Sequence, residues 1–459
     1  MIAPILIIIG LLLRINTYLV NRSLWVDEAV RALNVLDKNI PDFLKDLEYG
    51  DTAPFGFLTS EKLTINLFGN SEYSLRLLPL LAGLASVFLF YQLCKKFLNP
   101  LALFFAVGLF SFSRPLIYYS SEVRQYSLDL AICLILFLLA LKKSPSPKLT
   151  FFFLIFGSLS IWFSHPAIFI IASISIFKIF SSSKKSGLLI IFLWGISFLF
   201  NYLLSFHPLQ TQVVNPVWQS TFATLNPSWY LKAFLDIFES PLDLFFPVLG
   251  TIFFLLGGAF FLSKDKKLFC LFTAPIFFAL IASYFHLYPF FDRFLLFSVP
   301  VFFLFIAKGV EALFSPAKHR LVLGFAVALL ILLTQAALSI QTVLSPNLIE
   351  ETRPLITYWR ANHQKNDIIY LYYSSGPSFR YYAPKDDTNA IFGIESRDNP
   401  DLYEKDLEKL KGYPSVWLLF SHVYNNEEEY IISYLNKTRG KPKFLHTPGA
   451  SLYLYSPTP

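Results

Sequence analysis

The stretch Arg-Ser-Leu-Trp-Val-Asp-Glu-Ala-Val-Arg, residues 22–31, follows directly on an apolar run from Ile2 to Val20. Nineteen consecutive residues with one charge among them match the roughly 20 that an α-helix needs to cross a bilayer. What comes next is unusual for a membrane exit: adjacent carboxylates, Asp27 and Glu28, beside Trp25 and flanked by Arg22 and Arg31. Acid groups placed just beyond a spanning helix need a reason.

Working outward, similar runs recur along the 459 residues, of which 55% are hydrophobic, 18% aromatic and only 15% charged. They lie near 2–20, 74–94, 99–117, 125–142, 148–163, 165–181, 187–206, 243–262, 267–286, 290–312 and 319–344, about eleven spans in all. Runs this long do not suit barrel strands of about 10 residues, and a helix satisfies its own backbone in lipid. The expected fold is thus a polytopic α-helical membrane protein. The first run carries Arg14, has no basic residue ahead of it and shows no small-residue cleavage site, so it reads as a retained helix and not a signal peptide.

Charge sorts the loops. Lys95-Lys96, Lys142-Lys143 with Lys148, Lys184-Lys185, Lys264 with Lys266-Lys267, and Lys318 with Arg320 fall on one side, the cytoplasmic one by the positive-inside rule. The formal charge of +7 is accounted for by these scattered clusters and not by a nucleic-acid footprint. The N-terminus is then inside and the C-terminal region outside, which suits a plasma membrane, bacterial by type. Opposite loops carry the polar groups of interest: Asp27, Glu28, Asp51, Glu122, Arg124, His165, His207, His286, Asp292 and Arg293.

Two domains follow. Residues 1–344 form the spanning domain, with a long first outer loop, 21–73, whose pieces Glu28 to Leu36, Phe43 to Leu47 and Pro54 to Phe68 are amphipathic and expected along the membrane surface. Residues 345–459 lack a spanning run. They alternate strand-like stretches (368–373, 416–421, 451–455) with helical ones (353–363, 402–411, 427–436), a small extracytoplasmic α/β domain.

Each candidate residue has a bland reading beside the sharp one. Asp27 in the first turn of a surface helix would be favoured by the helix dipole, by roughly 0.3–1 kcal/mol. Desolvation by Trp25 and nearby lipid would instead raise its basicity, as a general base requires. On that helix Arg31 shares the Asp27 face and Glu28 points about 100° away, so the acids take different roles. Asp51, ahead of Thr52-Ala53-Pro54, reads as an N-cap that also binds hydroxyls. In the band 118–126, Tyr119, Glu122, Arg124 and Tyr126 suit a sugar and its phosphate, or else an aromatic belt with a Glu122–Arg124 surface pair. Arg76 and Arg293 are outer-interface cations, either snorkelling or clamping phosphate. Histidines at 165, 207 and 286 have no ligand spacing, no metal site is expected, and the three cysteines imply no disulfide framework.

These residues carry a resemblance. Leu24-Trp25-Val26-Asp27-Glu28-Ala29 after a first spanning helix resembles the Asp-Glu motif of the GT-C membrane glycosyltransferases, in particular the family 39 type of protein O-mannosyltransferases and aminoarabinose transferases. Ser74-Leu75-Arg76-Leu77-Leu78-Pro79, the stretch Tyr119 to Tyr126, and Arg293-Phe294 ahead of Pro300 resemble further parts of that pattern in order. The chain departs from it at Asp51-Thr52-Ala53-Pro54-Phe55, where relatives often carry a histidine and two prolines.

The resemblance implies a monosaccharide donated by a polyprenyl phosphate, no other cofactor, an acceptor hydroxyl on a protein, lipid or glycan, and inversion at the anomeric carbon. Asp27 would be the catalytic base with Glu28 supporting it. Asp51, Glu122, Arg124, Tyr119 and Tyr126 would bind substrate, and Arg76 and Arg293 the lipid phosphate. The alternatives are a polyprenyl-lipid flippase or transporter, or a non-catalytic binding subunit of an envelope assembly. A transporter would show paired repeats, which this sequence lacks.

Overall fold

The computed structural model describes residues 3–45, 47–143, 145–181, 184–206, 216–314, 318–383, 389–397, 399 and 401–456. His207 lies outside the described residues. Contacts divide the chain into two compact units: one of Met1–Val20 with Asn39–Pro346, the other of Asn21–Lys38 with Asn347–Pro459. This differs from the linear division at residue 344. The reason is polar: the backbone of residues 21–26 finds its hydrogen-bond partners at Glu350, Glu351, Arg353 and Tyr382.

The first unit is helical. Among the described residues six helices are long and apolar enough to cross a membrane, or seven if the bent pair Pro100–Ser111 and Arg114–Ser121 counts as one span. Four more apolar helices, Ala3–Leu19, Tyr126–Ala140, Pro147–Phe163 and Ala167–Phe180, are shorter than 18 residues. Length and composition therefore carry six or seven crossings. The best-buried span is Asp292–Leu313, with 89% of its apolar window enclosed, while Leu188, Phe192, Val322 and Leu333 on other helices stay exposed. Exposed large apolar side chains are what a lipid-facing surface presents, where water would penalise them.

Local chemistry sets the helix limits. Ser71 caps the Glu72–Cys94 helix, its Oγ accepting from Ser74 N–H at 3.1 Å, so the helix starts two residues before the apolar run does. Asn99 caps the next one, accepting from Ala102 N–H at 2.9 Å. The helices Pro247–Lys264 and Val299–Phe314 approach closely because both contact points are glycine. A Cβ on Gly257 would stand 1.9 Å from the Phe305 carbonyl oxygen, and one on Gly309 at 1.9 Å from that of Phe253. Small residues at such a contact let backbones meet and gain dispersion energy where lipid supplies no hydrophobic drive.

Arg14 sits inside the first helix and is fully buried. Its guanidinium donates to the carbonyls of Gly10 (2.9 Å), Phe110 (3.2 Å) and Ser111 (3.4 Å). Those last two belong to the end of Pro100–Ser111, where the chain bends by 55° before Arg114. A helix end in a membrane leaves carbonyls unbonded at a cost of several kcal/mol each, and Arg14 satisfies them.

The second unit is built on a five-stranded sheet in the order β2-β1-β3-β5-β4: β1 Ile368–Leu371, β2 Ala390–Phe392, β3 Val416–Ser421, β4 Lys443–Thr447 and β5 Ala450–Tyr455. β1 runs parallel to β2 and β3, and β5 is antiparallel to β3 and β4. β1 and β3 are buried along their whole length, so they read as continuous apolar runs and not as alternation. One face packs Leu407, Leu410, Ile431 and Leu435 against Tyr370 and Phe420, and the other packs Leu355, Trp359 and Phe379 against Leu371 and Leu419. The Val26–Asp37 helix belongs to this unit and packs on the Gly376–Tyr382 helix. Eight of its twelve residues are buried, including Glu28 and Arg31. Its amphipathic pattern is met by packing within this unit.

Candidate functional site

In the second unit the Asp-Glu motif opens the Val26–Asp37 helix, with Trp25 at its N-cap position. Asp27 is half-buried, and Glu28 is fully buried with its Oε1 3.9 Å from Arg22 Nη2. Of the two acids Glu28 is the enclosed one, and Asp27, about 100° round the helix, is the more exposed. The carboxylate of Glu350 approaches from outside the motif. Its Oε2 accepts from Val26 N–H at 3.1 Å, and its Oε1 lies 2.6 Å from His422 Nδ1. The ring of His422 stands 6.1 Å from that of Trp25. Hydrogen bonding to Glu350 raises the His422 pKa above its ordinary value, against the opposing effect of burial, and the Asp27 charge raises it further. Glu350, Glu351, Tyr382 and His422 were not singled out from the sequence. The adjacent acids 350 and 351 just past the last span were the available signal.

In the helical unit a second polar group assembles at one end of the bundle. Arg124 Nη1 donates to Asp51 Oδ1 at 3.1 Å, and both side chains are buried. This replaces two expectations. Asp51 does not cap the Phe55–Phe68 helix, whose N-cap is Pro54 and has no side-chain acceptor. Arg124 and Glu122 are not a surface pair, since Glu122 is fully buried. Tyr119 packs edge-on to Tyr118 (5.2 Å) and Tyr126 (5.1 Å), and Tyr126 packs edge-on to Phe294 (6.0 Å). Glu122, Asp292 and Arg293 lie within electrostatic range of the Tyr119 hydroxyl. The structure thus gathers Tyr119, Glu122 and Tyr126 of one stretch with Arg293 of another.

Arg76 is buried in the first turns of Glu72–Cys94, a helix that packs against the 119–121 turn. Its charge acts on Tyr18 at the end of the first helix. Ser240 donates to Asp292, which holds a positive φ of 34°. Two buried acids on apolar helices, Glu61 and Asp129, escaped the sequence reading because single carboxylates inside apolar runs look like interruptions. His286 packs by Phe222 at 4.9 Å. Among the described residues no group of three or more His, Cys, Asp or Glu is arranged to hold a metal ion.

No family model and no curated protein matches this sequence. Solved structures do. ArnT from Cupriavidus metallidurans bound to undecaprenyl phosphate is similar over 99% of this chain and 98% of its own, with a TM-score of 0.56 and 10% identity. The same protein in its apo state is similar over 96% of both chains, with a TM-score of 0.53 and 11% identity. The oligosaccharyltransferase of Archaeoglobus fulgidus, in a complex with zinc and sulfate, is similar over 98% of this chain and 73% of its own, with a TM-score of 0.58 and 12% identity. The likeness is one of fold. This is an integral, multi-pass membrane protein that shares the fold of these solved structures.

Proposed function

We propose that the protein transfers a monosaccharide from a polyprenyl phosphate to an acceptor hydroxyl on the outer face of the membrane, inverting the anomeric carbon. The observation that carries this reading is the half-buried Asp27 carboxylate, held at a helix start whose backbone is fixed by other side chains, in a chain that shares its fold with a protein bound to undecaprenyl phosphate.

In this reading Asp27 takes the acceptor proton as the acceptor oxygen attacks C1, and the C1–O bond to phosphate breaks with its electron pair leaving on the lipid phosphate. A base so placed contributes roughly 100- to 10,000-fold. Glu28, tied to Arg22, supports the helix start. Arg76 and Arg293 meet the negative charge that develops on the departing phosphate, which cations stabilise most where water is scarce. The hydroxyls of Tyr119 and Tyr126 and the carboxylates of Glu122 and Asp51 suit sugar hydroxyls, and Arg124 holds Asp51 in place. The eleven-span count, with the four shorter helices crossing too, would place the N-terminus in the cytoplasm and the α/β unit outside.

The test is transfer by purified protein in nanodiscs, read as release of undecaprenyl phosphate from a panel of undecaprenyl-phosphate monosaccharides. Loss of release in Asp27→Asn, with unfolding unchanged, supports the assignment. Movement of intact lipid across vesicles without release would favour a flippase.

A further inference from the structure

The helix bearing Asp27 has no cap of its own. Trp25 occupies the N-cap position with extended backbone and offers no acceptor, yet Ser, Thr, Asp or Asn is strongly favoured there because its side chain accepts from the first turn. The acceptors come instead from more than 300 residues away in sequence. Glu350 takes Val26 N–H (3.1 Å), and Glu351 takes both Ser23 N–H (2.9 Å) and Ser23 Oγ–H (2.7 Å). The Tyr382 hydroxyl accepts from Leu24 N–H at 2.7 Å, and Arg353 Nη2 donates to the Asn21 carbonyl at 2.7 Å. With His422 on the remaining oxygen of Glu350, all four carboxylate oxygens of residues 350 and 351 have a partner.

The segment that presents these acids is itself fixed. Glu351 N–H donates to Pro448 O at 2.8 Å, and Thr447 Oγ1 donates to Glu351 O at 2.7 Å. In the β4–β5 turn Gly449 has φ +67°, and a Cβ there would stand 1.7 Å from Ile349 O. Only glycine lets the turn lie so close to the 349–351 backbone. His422 is held in the left-handed region, φ +52°, directly after β3, with its carbonyl accepting from Ser374 Oγ. Strain of this kind persists where surrounding contacts impose it and clusters at functional positions.

Capping alone does not require a histidine on the capping acid. Glu350 accepts from the residue just before Asp27, and its other oxygen meets His422, whose protonated ring would neutralise it. The groups whose charges act on His422 are Glu350, Asp27 and Arg397.

We propose that Glu350, Glu351 and His422 are positioning residues for Asp27: the glutamates hold residues 23–26 in register with the α/β unit, and His422 sets the charge beside the base. The proposal rests on Asp27 being the base of the transfer reaction. Displacing a catalytic group by about 1 Å costs on the order of 100-fold in rate with little effect on substrate binding.

The experiment uses the full chain in nanodiscs with the same undecaprenyl-phosphate monosaccharide panel. For Glu350→Gln and Glu351→Gln the expected result is a fall in kcat of about tenfold or more at nearly constant KM. His422→Gln is expected to flatten the alkaline limb of the kcat–pH profile and leave the acid limb in place. Hydrogen exchange gives a readout independent of turnover: amides of residues 23–31 should exchange faster in Glu351→Ala while those of β1 and β3 stay protected, which also reports folding. Unchanged exchange over 23–31, or an alkaline limb identical in wild type and His422→Gln, overturns the clamp. Full activity in Asp27→Asn overturns the transferase reading instead, and exchange alone then decides whether the clamp exists.

Discussion

Arg124 and Asp51, 73 residues apart, form a buried ion pair with Nη1 and Oδ1 3.1 Å from one another. Removing one partner from such a pair strands the other charge away from water. Asp51→Asn or Arg124→Gln should each destabilise the helical unit by about 3–5 kcal/mol. The double variant should recover part of that loss, because it leaves no uncompensated charge. Thermal unfolding in detergent measures both, and two losses that simply add would show the residues to be energetically independent.

Arg14 makes a second case in which charge in a spanning helix is structural. Arg14→Leu preserves apolarity yet releases the carbonyls of Phe110 and Ser111 at the 55° bend. Each buried acceptor left unsatisfied costs about 1–3 kcal/mol. A lower unfolding temperature is expected, with faster amide exchange confined to residues around the bend. An unchanged melting curve would mean that the bend keeps its carbonyls satisfied by other means.

The Gly257–Gly309 contact predicts a steric outcome. Gly309→Leu forces the helices Pro247–Lys264 and Val299–Phe314 apart, since even a Cβ would overlap the Phe253 carbonyl. Overpacking at a tight contact costs typically about 1–3 kcal/mol. The variant should therefore express less well and unfold earlier than Gly195→Leu, where a Cβ meets nothing within 4 Å.

For pH the sign follows from His422. Its pKa is raised in the folded protein, chiefly by the hydrogen bond to Glu350. The pair's contribution to stability is then complete below the ordinary histidine value of about 6.5 and is lost as pH rises through the raised one. The stability gap between wild type and His422→Gln should be largest at mildly acid pH and close on the alkaline side. Because the ring is about half exposed, added salt should narrow it too. A gap that widens with rising pH would contradict this assignment.

Much of the fold was legible because lipid imposes it. The apolar run at 74–94 and the helix Glu72–Cys94 differ only by the Ser71 cap, and the strand at 416–421 appears with its predicted limits. The break within 99–117 was hidden, since Phe112 and Ser113 do not interrupt apolarity and the bend depends on Arg14, almost a hundred residues earlier. β2 and β4 were missed, one being three residues long and the other largely exposed. The site was legible as residue types and not as partnerships. Asp51 looked like a cap because Pro54 followed it; its partner Arg124 lies on another stretch, and no local pattern announces it. Glu350 and Glu351 were opaque for the same reason, their donors lying at residues 23 and 26.

The measurement that bears most directly on this account is undecaprenyl phosphate release by wild type and Asp27→Asn, assayed side by side in nanodiscs with undecaprenyl-phosphate monosaccharides. The account predicts turnover by wild type and a loss of roughly 100-fold or more in the variant, with the protein still folded. Equal release from the two proteins would contradict it.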